Sequence, residues 1–260
     1  MMDYTAIGTH DFYTFLLVFS RVGGLVVTAP LLGNRMIPRS VKAGFMLFFS
    51  FALTPLVIPK TGSVPTHALL LAADLAKNAV FGLALGYLAR ALFSAVEIAG
   101  AFIDTQMGFG LINLFNPFTD YPNSVLSVFQ IQLATTLYVL ANGHLALLGA
   151  LAESFNALPP SAAVATGATG LAAVPVIKMM FVLGFRLALP AAGVLLLVDV
   201  AFGLVARLVP QVNVFMVGTP AKILIGLATV ALLLPVIAVI VGEIGAGTGA
   251  ALQALVAAAK

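Results

Sequence analysis

The sequence predicts an all-α, membrane-associated protein built as a series of helical hairpins. Hydrophobic residues make up 62% of the 260 positions and charged residues only 8%, against about a quarter charged in an ordinary soluble domain. The apolar residues gather in about six blocks, most of them near the length of roughly 20 residues that a bilayer requires. Helix breakers separate these blocks, and no stretch alternates convincingly in the manner of a strand.

The first block, 12–32, carries Arg21 inside it and follows Asp3 and Asp11. A cleavable leader needs a basic start and a short uninterrupted apolar core, so this helix is expected to be retained. "GNRMIPRS" at 33–40 turns the chain into the second block, 41–58, and "PKTGSVP" at 59–65 turns it into the third, 68–89. Beyond it, Arg90, Glu97 and Asp104 recur every seven residues. That spacing places them near one face of a helix that runs on toward residue 107.

There the chain meets "MGFGLINLFNPFTDYP", residues 107–122, an apolar segment studded with Gly108, Gly110, Pro117 and Pro122. Glycine and proline leave backbone groups that helix hydrogen bonds do not satisfy, and irregular backbone at membrane depth survives only in protein or beside a wet cavity. A plain connector and a segment packed on its own helices are the competing readings.

The fourth block, 125–151, precedes "LPPSAAVATGATG" at 158–170; the fifth, 171–198, precedes "VPQVNVFMVGTP" at 209–220; the sixth is 223–241. Lys178, Arg186, Asp199 and Arg207 stud the fifth. Ionisable groups at bilayer depth cost several kcal/mol unless they face protein or water, so these either pair between helices of this chain or meet partner subunits or a wet passage. Gly82 and Gly86, four apart, would let another helix approach closely. Simple alternation places Arg35, Arg39, Lys42, Arg90, Arg207 and Lys222 on one side, and the positive-inside rule then puts the N-terminus outside.

Chemistry finds little support. His10, His67 and His144 lie in separate segments without a carboxylate or second histidine at metal-ligand spacing. His144 reads as a helix-buried histidine donating to a backbone carbonyl rather than as a proton relay. Ser154 beside Glu153 lacks a base, no G-x-S-x-G elbow occurs, and there is no cysteine. "GEIGAGTGA" at 242–250 follows an apolar helix and lacks the Lys-Ser/Thr ending of a phosphate loop. No cofactor is indicated. The net charge of +3 is spread too thinly to follow a phosphate backbone, which argues against nucleic acid. A membrane conduit subunit and a small-solute transporter remain, although no pair of matching halves is visible.

The stretch "LLLVDVAFGLVARLVPQVNVFMVGTPAKILIGL", Leu195 to Leu227, closely resembles the signature of the FliR family of flagellar export-gate proteins. "FSRVGGLVVTAPLLGNRMIPRSVKAGFMLFFSFALTP" at 19–55 resembles the family's first hairpin, and "ANGHLALLGALAESFNALP" at 141–159 its fourth helix and following turn. The resemblance implies a non-enzymatic subunit of the flagellar type III protein export gate, in the bacterial inner membrane at the flagellar basal body. Its expected partners are FliP, FliQ, FlhB and FlhA, with exported flagellar proteins in transit. The related injectisome subunit is the nearest alternative.

The implied fold is a single export-gate domain over 1–260, a spiral of hairpins with a FliP-like part followed by a FliQ-like part, much of it raised toward the periplasm. Within it residues 105–124 would form a loop that plugs the export channel. Met107, Phe109, Leu111, Ile112, Leu114, Phe115 and Phe118 would supply the apolar constriction, with Gly108 and Gly110 letting it move. Arg90, Glu97, Asp104, Asp199 and Arg207 become candidate subunit contacts. Gln211 and Asn213 would satisfy broken-helix backbone at another such contact.

Overall fold

Helical spacing governs the chain throughout the residues that the computed structural model describes: 4–34, 36–109, 124–161, 166–211 and 213–259. These contain α1 (Tyr4–Thr28), α2 (Arg39–Val57), α3 (Ala68–Met107), α4 (Val125–Leu140), α5 (Gly143–Ala157), α6 (Thr166–Leu208), α7 (Val214–Leu232) and α8 (Leu234–Ala259). A 3-10 turn occupies Ile58–Lys60, and the described residues include no strand. Four helices are long and apolar enough to cross a membrane, or up to six spans if each of two bent pairs counts as one.

Several boundaries differ from the apolar blocks. The fourth block is two helices, because Asn142 between them adopts a left-handed φ of 57°, a conformation that asparagine tolerates better than most residues. The sixth block breaks at Leu233, where α7 and α8 meet at a bend of 53°. Pro235 falls in the first turn of α8, where a missing N–H leaves no intrahelical bond unmade. Conversely, "VPQVNVFMVGTP" is not a turn throughout, for α7 already begins at Val214 and takes Pro220 inside it. Arg90, Glu97 and Asp104 do lie on one helix, since α3 runs on to Met107.

The chain divides into two compact units. The first comprises Met1–Leu92, Asn142–Ile177 and Ile244–Lys260. Leu17, Val18, Val22 and Leu25 of α1 are wholly buried in it, and the steps of four and three from Val18 to Val22 to Leu25, with Leu17 beside Val18, lay one apolar stripe along the helix. The helix α3 meets α1 backbone to backbone. A Cβ added to Gly82 would stand 2.0 Å from the Arg21 carbonyl oxygen, and one on Gly24 would stand 2.4 Å from that of Ala79. The Thr28 hydroxyl seals the crossing by donating to the Leu83 carbonyl at 3.1 Å.

Arg21 is buried at this crossing. Its Nε donates to Asn78 Oδ1 at 3.0 Å, and Nη1 donates to Ser154 Oγ at 3.2 Å and the Leu158 carbonyl at 3.1 Å. The guanidinium lies 4.8 Å and 4.3 Å from the ring centres of Phe81 and Phe155. Neutral acceptors and two π faces therefore replace a counter-ion, and they tie α1, α3 and α5 together.

The second unit comprises Phe93–Ala141 and Lys178–Glu243. Ile103 and Met107 of α3, Leu126 of α4, Ala191 and Leu195 of α6, and Val230 of α7 form its core with Leu233. Close approach again depends on glycine: a Cβ on Gly100 would lie 2.5 Å from Ser127 Cα, and one on Gly226 would lie 2.6 Å from Met107 Cγ.

Candidate functional site at the loop base

The helix α3 ends for a definable reason. Gly108 takes a φ of +92°, its N–H donates to the Thr105 carbonyl at 3.2 Å, and the Phe109 N–H reaches back to the Asp104 carbonyl at 3.1 Å. This is the paired closure of a Schellman cap, in which a left-handed glycine satisfies the last carbonyls of the helix. In this arrangement Gly108 stops α3.

Fifteen residues after Phe109, Ser124 opens an equally complete cap on α4. The Ser124 hydroxyl accepts the Ser127 N–H at 3.0 Å. The Leu126 N–H donates to the Asp104 carboxylate, 3.1 Å from Oδ2 and 3.3 Å from Oδ1. Two otherwise unmatched donors of the first turn are thus satisfied, one of them by a carboxylate placed where the helix dipole favours negative charge. Asp104 is only 3% exposed, so its bonds form away from bulk water.

Around this junction lies an apolar recess of about 370 Å³. Phe109 forms one wall, Val125 and Phe129 a second, and Leu227, Ala231 and Leu234 a third. Met107 packs wholly buried in the core above Gly226, whereas Phe109 is only partly buried. The remaining plug candidates, Gly110, Leu111, Ile112, Leu114, Phe115 and Phe118, lie outside the described residues.

The charged candidates divide. Arg90 and Glu97 are exposed on α3 while Asp104 turns inward, so the shared face of the heptad spacing leads to different surroundings along its length. On α6, Asp199 pairs with Lys222 of α7, and Arg186 pairs with Glu243 of α8 at 2.8 Å. Lys178, Arg207 and Gln211 are exposed. Asn213 caps α7 of its own chain, with its side-chain oxygen accepting the Met216 N–H at 3.3 Å. Internal pairing therefore accounts for Arg186 and Asp199, two of the four charges on the fifth block.

Sequence reading did not single out the Arg21 cluster, because its partners come from helices distant in the chain. The expected carbonyl bond is also not made by Nδ1 of His144, which is buried without a partner among the described residues. Nor do those residues include a group of histidines and carboxylates able to hold a metal ion.

Comparison with known proteins matches residues 12–246 to the family described as "Bacterial export proteins, family 1". A relative from Bacillus subtilis, named "Flagellar biosynthetic protein FliR", is 35% identical over 90% of this chain and 90% of its own. Proteins of the same name from Escherichia coli and Pectobacterium carotovorum are 32% and 33% identical. The former alignment covers 84% of this chain and 83% of the relative, the latter 86% and 85%.

Proposed function

Because the chain belongs to family 1 of the bacterial export proteins and, within it, to the flagellar biosynthetic FliR proteins, we propose that it completes the FliP/FliQ channel of the flagellar export gate. It acts there as a non-enzymatic subunit, beside FlhB- and FlhA-type proteins, in the inner membrane at the basal body, with much of the assembly on the periplasmic side. Residues 105–124, from the last turn of α3 to the N-cap of α4, carry the segment that closes the channel at rest.

The observation that carries this reading is the pair of caps on the two helices that bound the loop. Hydrogen bonds among residues 104–109 and 124–127 close the two flanking helices, which supports a role for the intervening apolar segment in the passage rather than in the fold. Leu111, Ile112, Leu114, Phe115 and Phe118 supply the water-excluding side chains, and the recess beside Phe109 supplies an apolar surround. Glu97, Arg207 and Gln211, all exposed, are proposed to meet neighbouring subunits, as is Arg90 on the exposed face of α3.

Co-expression with the FliP and FliQ proteins of the same organism, followed by purification and mass measurement of the intact complex, tests the assembly. The expected result is one particle containing all three proteins. A stable monomer that moves a small solute in liposomes would replace this reading with that of a transporter.

A further inference from the structure

The helix α2 buries only a narrow seam, and that seam holds its polar residues. Ser50, Leu53, Thr54 and Val57 are its buried side chains, and Met46 lies against Gly23 of α1, where an added Cβ would stand 3.3 Å from Met46 Cε. Met46, Ser50, Leu53 and Val57 follow in steps of four, three and four, with Thr54 beside Leu53, so they mark one contact face. Between Lys42 and Lys60 the only polar side chains are Ser50 and Thr54, and the Thr54 hydroxyl donates to the Ser50 carbonyl at 2.7 Å. The protein side of α2 is therefore its more polar side.

The outer side is apolar throughout. Gly44, Phe48, Phe51 and Pro55 lie along it in steps of four, three and four, all exposed. Phe48 and Phe51 are 75% and 73% exposed, and Leu56 is 65% exposed. A helix at a water surface has the reverse arrangement, with its polar residues outward. Membrane helices that pack on one another do so through small residues and polar groups, and bulky phenylalanines without a polar neighbour offer a partner helix little of either.

Cations close this face at both ends. Arg39 and Lys42 stand near the start of α2, and Lys60 stands in the 3-10 turn that follows it, exposed although its Nζ also donates to Asn156 Oδ1. Lys42 and Lys60 are eighteen residues apart, about 27 Å along a helix axis and close to the roughly 30 Å of a bilayer's hydrocarbon core. Long cationic side chains at such places reach the headgroups while their stems stay among apolar groups. Exposure alone does not single out α2, for the span on α6 is as little buried. Ionisable side chains, however, interrupt the other three long spans: Arg21 in α1, Arg90 and Glu97 among others in α3, and Lys178 and Arg186 among others in α6.

We propose that the outer face of α2 is the chain's seat against lipid: acyl chains cover Phe48, Phe51 and Leu56, and the phosphates of anionic headgroups receive Arg39 and Lys42 at one end and Lys60 at the other. Neither the channel reading nor the identity of the neighbouring subunits enters it.

The chain has no cysteine, so single cysteines can carry a nitroxide label at chosen positions. Phe48→Cys, Phe51→Cys and Leu56→Cys report the outer face of α2. Tyr87→Cys reports the exposed side of α3, one turn before Arg90. The full chain is purified with the subunits that accompany it, any cysteine of theirs replaced by serine, and reconstituted in vesicles of phosphatidylethanolamine and phosphatidylglycerol. Power saturation then measures the collision of each label with oxygen, which concentrates among acyl chains, and with a water-soluble nickel chelate.

The expected result is oxygen collision several-fold above nickel collision at all three α2 positions, and little collision with either at Tyr87. Low collision with both reagents on α2 would show that protein covers the face, and high nickel collision would show water there; either overturns the proposal. Oxygen exposure at Tyr87 equal to that at Phe48 would also overturn it, since the charged side of α3 would then sit in lipid as readily. Should the Phe48 and Phe51 variants fail to assemble, Leu47→Cys and Ala52→Cys, both exposed on α2, take their place, and failure of all four would mean that a protein contact occupies the face. The headgroup contacts are tested by lipid analysis of the detergent-washed complex. Changing Arg39, Lys42 and Lys60 to glutamine should reduce its retention of phosphatidylglycerol over phosphatidylethanolamine, and an unchanged preference would overturn those contacts.

Discussion

Arg21 on α1 and Asn78 on α3 are joined by a 3.0 Å bond between Nε and Oδ1, in a pocket where Arg21 is only 1% exposed. Asn78 simultaneously donates to the carbonyls of Asp74 and Pro160, at 2.8 Å and 2.9 Å, so one amide serves three partners. Asn78→Leu should leave a charged donor and a loop carbonyl unmatched in a buried site. The expected cost is about 2–3 kcal/mol, read as a lower melting temperature of the purified complex. Arg21→Lys should be nearly as harmful as loss of the side chain, because a single ammonium does not span the acceptors that the planar fork reaches.

The α1–α3 crossing gives a second expectation. Gly82→Ala drives a methyl group to 2.0 Å from the backbone oxygen of Arg21, with no flexible side chain to move aside. Complex yield should fall sharply, since overpacking of this kind costs at least about 1–3 kcal/mol. Gly149→Ala and Gly193→Ala, where an added Cβ meets nothing within 4 Å, serve as controls and should be neutral or gain about 1 kcal/mol of helix propensity.

The pair Arg186–Glu243 at 2.8 Å belongs to two apolar helices, although each side chain is partly exposed. Removing one partner strands the other in apolar surroundings, whereas removing both does not. Arg186→Leu and Glu243→Leu should each lower complex yield more than the double variant does. A double-mutant cycle measures the coupling, and independent, additive losses would show that the pair does not act as a unit.

How far the sequence reveals this architecture depends on whether the cause is local. Apolar blocks and breakers report local composition, and they locate the hairpins between α1 and α3 to within a few residues. The continuation of α3 to Met107 is legible in the spacing of Arg90, Glu97 and Asp104, and its end is legible in Gly108. The break at Asn142 is hidden because the flanking residues are as apolar as those of an unbroken helix. Likewise, nothing local tells Asp104, which meets an N–H 22 residues away, from Glu97, which stays exposed seven residues earlier. Arg21 shows the same limit, for its acceptors come from α3, α5 and the turn after α5. The proposal that the segment after Gly108 serves a channel comes from family resemblance rather than from periodicity.

The most direct test of the channel reading is membrane conductance, measured beside complex yield in the same cells, for the variant carrying Phe109→Ser, Leu111→Ser, Ile112→Ser and Phe115→Ser. The expected result is unchanged assembly, retained protein export and a clear leak of ions or small molecules, because polar side chains let water into the constriction. Normal assembly with an undiminished seal would contradict the plug, and loss of assembly would make residues 105–124 a connector on which the fold depends.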